Sequence, residues 1–262
     1  MKNVVITGST RGIGFEMAKE FLKQGCNVTI SGRNATPPVK LEDELIEFRK
    51  KYHYVPCNVQ NKKDIESLWN SAKEQWGTVD IWINNAGQNV PHEFSYDTDS
   101  SSTEAVIHTN ILGIIYGAQV AAKNMLIQGS GQIWNMEGLG SNNMIQVKTI
   151  LYGTTKHALT YFSKGLAKEL DGTPVKVGRL SPGMMLTDFI TKAPDGTQSP
   201  VLQDKSFQFV FNALADRPET VASFFVPRIL KNNKNNAHIV WLTNAKSMWR
   251  FLKYPVLKRE LI

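Results

Sequence analysis

Apolar positions along the chain follow two rhythms. Short runs rich in β-branched residues occupy 3–7, 27–31, 52–56, 79–84, 131–136, 175–180 and 238–242. Between most of them apolar residues recur every three or four positions, over 13–24, 41–51, 62–76, 151–170 and 218–230. The first rhythm is that of strands buried on both faces, and the second is that of helices with one apolar stripe. Their alternation predicts βαβ units: a Rossmann-type doubly wound α/β fold with seven mostly parallel strands and helices on both faces. Residues 1–262 read as one domain, with no internal repeat beyond the alternation itself. Three stretches break the rhythm. Residues 93–103 are rich in Ser, Asp and Thr, and 231–236 read Lys-Asn-Asn-Lys-Asn-Asn, an exposed turn. Residues 191–206 carry Pro194, Gly196 and Pro200 with weak periodicity. A long irregular segment in a compact domain marks a binding loop, so a substrate lid is expected over 188–206.

Composition narrows the class. With 42% hydrophobic and 20% charged residues the chain can bury a core, which excludes global disorder. Thirty Lys and Arg against 23 Asp and Glu give +7, but the excess is spread along the chain, unlike a nucleic-acid-binding arm. Cys26 and Cys57 cannot build a disulfide framework and read as reduced, buried thiols. No apolar run approaches the ~18–20 residues of a membrane span, and no leader pattern precedes the first strand. The expected location is cytoplasmic. The five histidines show no metal-ligand spacing, so no metal is expected.

The first strand runs into Thr7-Gly8-Ser9-Thr10-Arg11-Gly12-Ile13-Gly14, and a helical pattern follows. Gly8 permits a tight turn, Gly12 lets backbone approach a pyrophosphate, and Gly14 allows close helix–sheet contact. The helix N-terminus then offers free N–H groups and positive dipole to phosphates. Residues 8–14 are therefore candidate dinucleotide contacts: Gly8, Ser9, Thr10, Arg11, Gly12, Ile13 and Gly14. The second strand ends Ser31-Gly32-Arg33, where a carboxylate would bind a ribose 2′-hydroxyl. An arginine there can instead grip a 2′-phosphate, and Arg11 is a second candidate, so the cofactor expected is NADP(H).

The glycine spacing, Gly-x-x-x-Gly-x-Gly, resembles the short-chain dehydrogenase/reductase family, with Thr7, Gly8, Gly12 and Gly14 matching its motif. The resemblance implies roles for further positions. Asn58-Val59 stands where many relatives have Asp-Val at the adenine, and the Asn58 carbonyl oxygen could serve there. Asn84-Asn85-Ala86-Gly87 matches the segment beside the adenosine, with Asn85, Ala86 and Gly87 near the cofactor and Asn85 facing it. Ser181-Pro182-Gly183-Met184-Met185-Leu186-Thr187 resembles the family's Pro-Gly-x-x-x-Thr element, which places Pro182, Gly183 and Thr187 at the nicotinamide end.

Tyr152 and Lys156 are spaced i, i+4, which puts them on one face of a helix. A phenol with pKa ~10 is a poor acid at neutral pH, and a neighbouring ammonium stabilises its phenolate. The pair can thus act as a proton donor, and it matches the family's catalytic motif. Asn110 stands where the family holds the lysine through water. The family's serine is missing: the chain reads Asn135-Met136-Glu137-Gly138-Leu139-Gly140-Ser141, with Gly138 in the serine's place. Ser141 supplies the hydroxyl through a shifted loop, or backbone N–H groups polarise the carbonyl, or the chain is a non-catalytic relative. All three stay open at this point. Asn-Met-Glu-Gly-Leu-Gly-Ser is also similar to the corresponding segment of plant chlorophyll b reductases, which reduce a formyl group with NADPH. That likeness implies aldehyde reduction on a large, flat, apolar substrate.

The basic and aromatic stretch 246–255 is read in two ways, as a membrane-touching surface or as a helix packed on the core or on a second subunit. The leading expectation is an NADPH-dependent reductase acting on a small-molecule carbonyl, assembled as a homodimer or homotetramer. The rival is a non-catalytic NADP(H)-sensing or scaffold protein.

Overall fold

The computed structural model describes residues 1–193, 196–257 and 259–262. The strands are β1 (Asn3–Ile6), β2 (Asn27–Gly32), β3 (Tyr52–Pro56), β4 (Ile81–Asn84), β5 (Gly131–Met136), β6 (Val175–Ser181) and β7 (Ala237–Val240). They form one sheet in the order β3-β2-β1-β4-β5-β6-β7, and every pairing is parallel. This is the doubly wound fold the alternation predicts. The chain winds outward from β1 to β3, returns beside β1 and winds the other way from β4. In such sheets the crevice at the carboxyl ends of β1 and β4 is where ligands bind.

The helices in chain order are α1 (Gly12–Lys23), α2 (Val39–Glu44), α3 (Lys62–Trp76), α4 (Ser100–Ile107), α5 (Gly113–Gln128), α6 (Ile150–Glu169), α7 (Asp188–Thr191), α8 (Lys205–Leu214), α9 (Pro218–Lys231) and α10 (Asn244–Leu257). They cover both faces of the sheet. On one face, Met17, Phe21 and Leu22 of α1 and Val221, Phe225 and Ile229 of α9 pack on Val4, Ile6 and Ile83. On the other, Ile65, Leu68 and Trp69 of α3 and Ala118, Ala121 and Met125 of α5 pack on Val5, Trp82 and Ile133. Both cysteines are buried, unpaired thiols, and burial pushes Cys57 up to about 12.

Three differences from the pattern have local causes. The helix expected over 41–51 is a short α2 and a 3₁₀ turn, Ile46–Phe48. Only Leu41 and Leu45 are buried there, one turn apart, and the chain must extend again for β3. The polar stretch 93–103 ends inside a helix. Asp99 caps α4, its Oδ1 accepting from the Ser102 N–H at 2.8 Å, so Ser and Asp here mark a helix start. The run Ser100–Gln128 is long and apolar enough to cross a membrane by length and composition, although the sequence pattern suggests no span. Here Val106, Ile114, Ala118, Ala121 and Met125 of this run are buried in the protein itself. The region of the expected lid holds α7, a bridge between Lys192 and Gln198, and a 3₁₀ turn, Pro200–Gln203. Pro194 lies outside the described residues.

Candidate active site

The glycine loop sits at the carboxyl end of β1, and its backbone shape needs glycine. Gly8 and Gly12 have φ of +61° and +60°, the left-handed region. A Cβ on Gly8 would lie 2.8 Å from Ala86 Cα, and one on Gly14 would meet the Asn85 amide. Thr7 and Asn85 stitch the loop to the end of β4. The Thr7 Oγ1 accepts from the N–H groups of Asn85 and Ala86 at 3.0 and 3.1 Å. The Asn85 Nδ2 donates to the carbonyls of Thr7 and Gly8 at 3.0 and 2.9 Å. The side chain of Asn85 is thus turned to the glycine loop, where the resemblance has it facing cofactor. Ser9 is fully buried and also a brace: its hydroxyl donates to the Ile6 carbonyl at 2.7 Å and accepts from the Ser31 N–H at 3.0 Å.

Helix α1 begins at Gly12 with no side-chain cap and no acidic residue in its first turn. Helices α3, α4 and α8 are capped by Asn61, Asp99 and Asp204. The first turn of α1 therefore carries no side-chain acceptor or acid of its own, and its dipole favours an anion there. Thr10 packs under Gly32, at whose position a Cβ would lie 2.6 Å from its methyl group. Arg33 is exposed just past β2. Arg11 leans the other way, its guanidinium 3.7 Å from the Asp188 carboxylate on α7. At the end of β3, Asn58 is exposed and its side-chain Oδ1 accepts from the Gln60 N–H at 3.2 Å. Asp64, which the sequence reading passes over, accepts from the Asn58 N–H at 3.0 Å. Val59 is buried against Gly113.

Tyr152 and Lys156 sit in the first two turns of α6, beside the carboxyl end of β5. The Lys156 Nζ lies 5.7 Å from the Tyr152 ring centroid and donates to the Met136 carbonyl at 3.0 Å. Burial lowers Lys156 to about 8, with the negative charge of Glu137 pulling in the opposite direction. Burial raises the Tyr152 phenol above its ordinary value. Asn110 is fully buried and lies in a π turn, His108–Leu112, between α4 and α5. Such turns widen a helix and re-aim a side chain. Its Oδ1 accepts from the Gln88 N–H at 2.8 Å, and its Nδ2 donates to the Gln88 carbonyl and the Thr155 hydroxyl at 2.9 and 3.1 Å. A Cβ on Gly87 would lie 3.6 Å from Asn110 Oδ1 and 3.9 Å from Lys156 Nζ, which places the two side chains around one small space. Phe189 of α7 covers Tyr152, with ring centroids 5.5 Å apart; nothing in the sequence pattern singles it out.

The loop after β5 explains the absent serine in part. A Cβ on Gly138 would collide with the Tyr152 hydroxyl and come within 3.3 Å of Lys156 Cε. Gly140, with φ +98°, lets the loop lie on the helix: a Cβ there would be 2.6 Å from Gly153 Cα. Ser141 ties the same loop down. Its hydroxyl donates to the Lys156 carbonyl at 3.2 Å and accepts from the Gly138 N–H at 3.3 Å. Beyond β6, Pro182 is buried and Gly183, at φ +72°, packs on Leu242. Thr187 precedes α7, and its methyl group would be 3.7 Å from a Cβ on Gly12. The Pro-Gly-x-x-x-Thr element therefore ends against the glycine loop.

The family model for the short chain dehydrogenases matches residues 2–198. The chain belongs to the short chain dehydrogenase family. Among curated members, it is 34% identical to a rice protein named chlorophyll(ide) b reductase NOL, over 95% of this chain and 73% of the relative. It is also 34% identical to a rice protein named probable chlorophyll(ide) b reductase NYC1, over 92% of this chain and 50% of that longer relative. Both names include the word chloroplastic, and this overturns the expectation of a cytoplasmic location. Among solved family structures, serine dehydrogenase in its closed form with NADP+ superimposes with a TM-score of 0.78 at 25% identity, covering 92% of this chain and 95% of that one.

Proposed function

We propose that the chain is an NADPH-dependent reductase that converts an aldehyde on a large, flat, apolar substrate to an alcohol, as the names of its chlorophyll(ide) b reductase relatives suggest. The observation that carries this reading is a convergence. Tyr152, Lys156 and Asn110 meet at the carboxyl ends of β4 and β5, next to an uncapped helix N-terminus. A dinucleotide fits the residues present: two glycines in the left-handed region, donors left open at α1, and no acid at the end of β2.

Gly8, Gly12 and the first turn of α1 would hold the pyrophosphate, with Thr10 and Ile13 shaping the loop. Arg33 and Arg11 would meet the 2′-phosphate, and Asn58 and Val59 the adenine. Ala86 and Gly87 would line the adenosine side, with Pro182, Gly183 and Thr187 at the nicotinamide. NADPH, when bound, supplies the hydride for the carbonyl carbon. Tyr152 donates its hydroxyl proton to the carbonyl oxygen. The Lys156 ammonium then stabilises the phenolate, and it is the group that offsets the burial disfavouring charge on Tyr152. Asn110 fixes the space beside Lys156 through which a proton returns. Gly138 leaves the phenol hydroxyl uncovered by any side chain at the family's serine position. Ser141 is assigned here to holding this loop against α6. Phe189 and the other described residues of 188–206 would cover a flat apolar ligand, and assembly into dimers or tetramers, checked by light scattering, belongs to the same reading.

The test is an assay of purified protein with NADPH and a panel of carbonyl compounds that includes a formyl-bearing chlorophyllide. Turnover that disappears in Tyr152→Phe supports the reductase. Tight NADPH binding with no turnover on any compound overturns it in favour of a cofactor-sensing protein.

A further inference from the structure

One buried acid beside the catalytic pair has no part in the reading above. Glu137 follows the last residue of β5 and is almost fully buried. Its Oε1 accepts from Arg179 on β6 at 3.1 Å and from the Thr160 hydroxyl at 3.1 Å. Its Oε2 is 2.8 Å from the His238 Nε2 on β7. The carboxylate is thus fixed from three elements. Its chain neighbours are the two backbone sites that support the pair: Met136, whose carbonyl receives the Lys156 ammonium, and Gly138, which faces the Tyr152 hydroxyl. Thr160 also lies 3.2 Å from the Lys156 carbonyl, one turn along α6, so it clamps the carboxylate to the helix that carries Lys156.

A buried ion pair is weak as a stabilising device, because desolvation offsets its attraction. A fixed charge in the interior does act strongly on a second buried charge nearby. Among the described residues, the charged and titratable groups on the elements around this region are Tyr152 and His157 on α6, Glu137 after β5, Arg179 on β6 and His238 on β7. Glu137 is the acid among them. We propose that Glu137 is a positioning residue whose carboxylate, locked by Arg179, His238 and Thr160, keeps the Lys156 ammonium protonated in its buried site. Burial alone would raise the Glu137 carboxyl, yet its bonds to His238 and Arg179 hold it below the usual carboxylate range, which favours its charged form.

The proposal rests on the assigned role of Lys156, and its test is independent of turnover. Lys156 protonation is followed in the full-length protein by NMR of ¹³Cε-labelled lysine, with the resonance assigned by Lys156→Met. Glu137→Gln is expected to lower the titration midpoint by about one pH unit or more, and Glu137→Asp to restore it. Should Glu137→Gln unfold by stranding the Arg179 charge, the paired change Glu137→Gln with Arg179→Met strands none and is expected to lower the midpoint too. An unchanged midpoint in either folded variant overturns the proposal, whether or not any carbonyl substrate turns over. In the active enzyme the high-pH limb of kcat is expected to move down with the midpoint; a uniform loss at every pH would reduce Glu137 to a structural role.

Discussion

Two glycine-built loops flank the site, and they differ in what glycine is for. After β1, Gly8 and Gly12 adopt positive φ and keep the space above α1 clear, so that an outside anion can reach backbone donors. After β5, Gly138 and Gly140 bring the protein against itself: one lies under the Tyr152 hydroxyl and the other on Gly153. In the proposed reading the first loop is a rigid seat for the dinucleotide phosphates. The second sets the surroundings of Tyr152 and Lys156, the groups proposed to react. A missing side chain in the second loop is therefore no sign of a dead site when the groups around it remain assembled.

The sharpest way to break this comparison is Tyr152→Phe. Removing the proposed proton donor is expected to lower turnover by about 10²–10⁴-fold. NADPH affinity, which the proposal assigns to the first loop, is expected to stay within a few-fold by fluorescence titration. A parallel loss of binding would show that the two loops do not separate the roles.

The next effect is a pH dependence with opposite signs for activity and stability. Lys156 titrates at about 8 in the folded protein against an ordinary 10.5. Between these values the unfolded chain binds more protons, so this group makes the fold more stable as pH rises across the window, by up to about 3 kcal/mol. In the proposed mechanism activity needs the ammonium, so it is expected to fall as pH rises through about 8. Thermal melts and kcat measured over the same pH series check the pair of signs; both falling together would remove Lys156 as the cause.

Much of this was legible in the sequence, and the rest was not for physical reasons. Strand runs show in the sequence because a parallel sheet buried on both faces needs continuous apolar residues, as in Val4-Val5-Ile6 and Ile81-Trp82-Ile83. The glycine loop is legible because its backbone tolerates no alternative. Ser9 reads as a cofactor contact because it lies in that loop, and Asn85 because its segment after β4 resembles the one beside the adenosine, whereas hydrogen bonds to Ile6, Ser31, Thr7 and Gly8 occupy them, and such bonds leave no periodic trace. Phe189 over Tyr152 and the Glu137–Arg179–His238 cluster join residues far apart in the chain, which no local pattern reveals.

A change in the first loop should act on shape before chemistry. Gly8→Val places a branched side chain at φ +61° and 2.8 Å from Ala86 Cα. It is expected to cost about 2–3 kcal/mol of stability by denaturant titration and to abolish tight NADPH binding. Arg33→Ser is milder: a lost charge-assisted contact of about 2 kcal/mol weakens NADPH roughly thirty-fold and leaves NADH unchanged. Equal losses for both cofactors would move the 2′-phosphate contact elsewhere.

The smallest effect separates the two explanations for the second loop. If the Ser141 hydroxyl acts only as a tie between Gly138 and the Lys156 carbonyl, both at more than 3 Å, its loss in Ser141→Ala removes weak bonds. The expected result is about 1 kcal/mol of stability and a rate change of two- to three-fold. If the hydroxyl instead turns to hold the substrate oxygen, the loss approaches ~3 kcal/mol of barrier, or about a hundred-fold in kcat. Gly138→Ser gives the converse. A serine there puts its Cβ on the Tyr152 hydroxyl, so restoring the family's residue is expected to slow this enzyme rather than quicken it. A faster Gly138→Ser variant would mean that Tyr152 readily yields the space, and that the second loop is as interchangeable among relatives as the first.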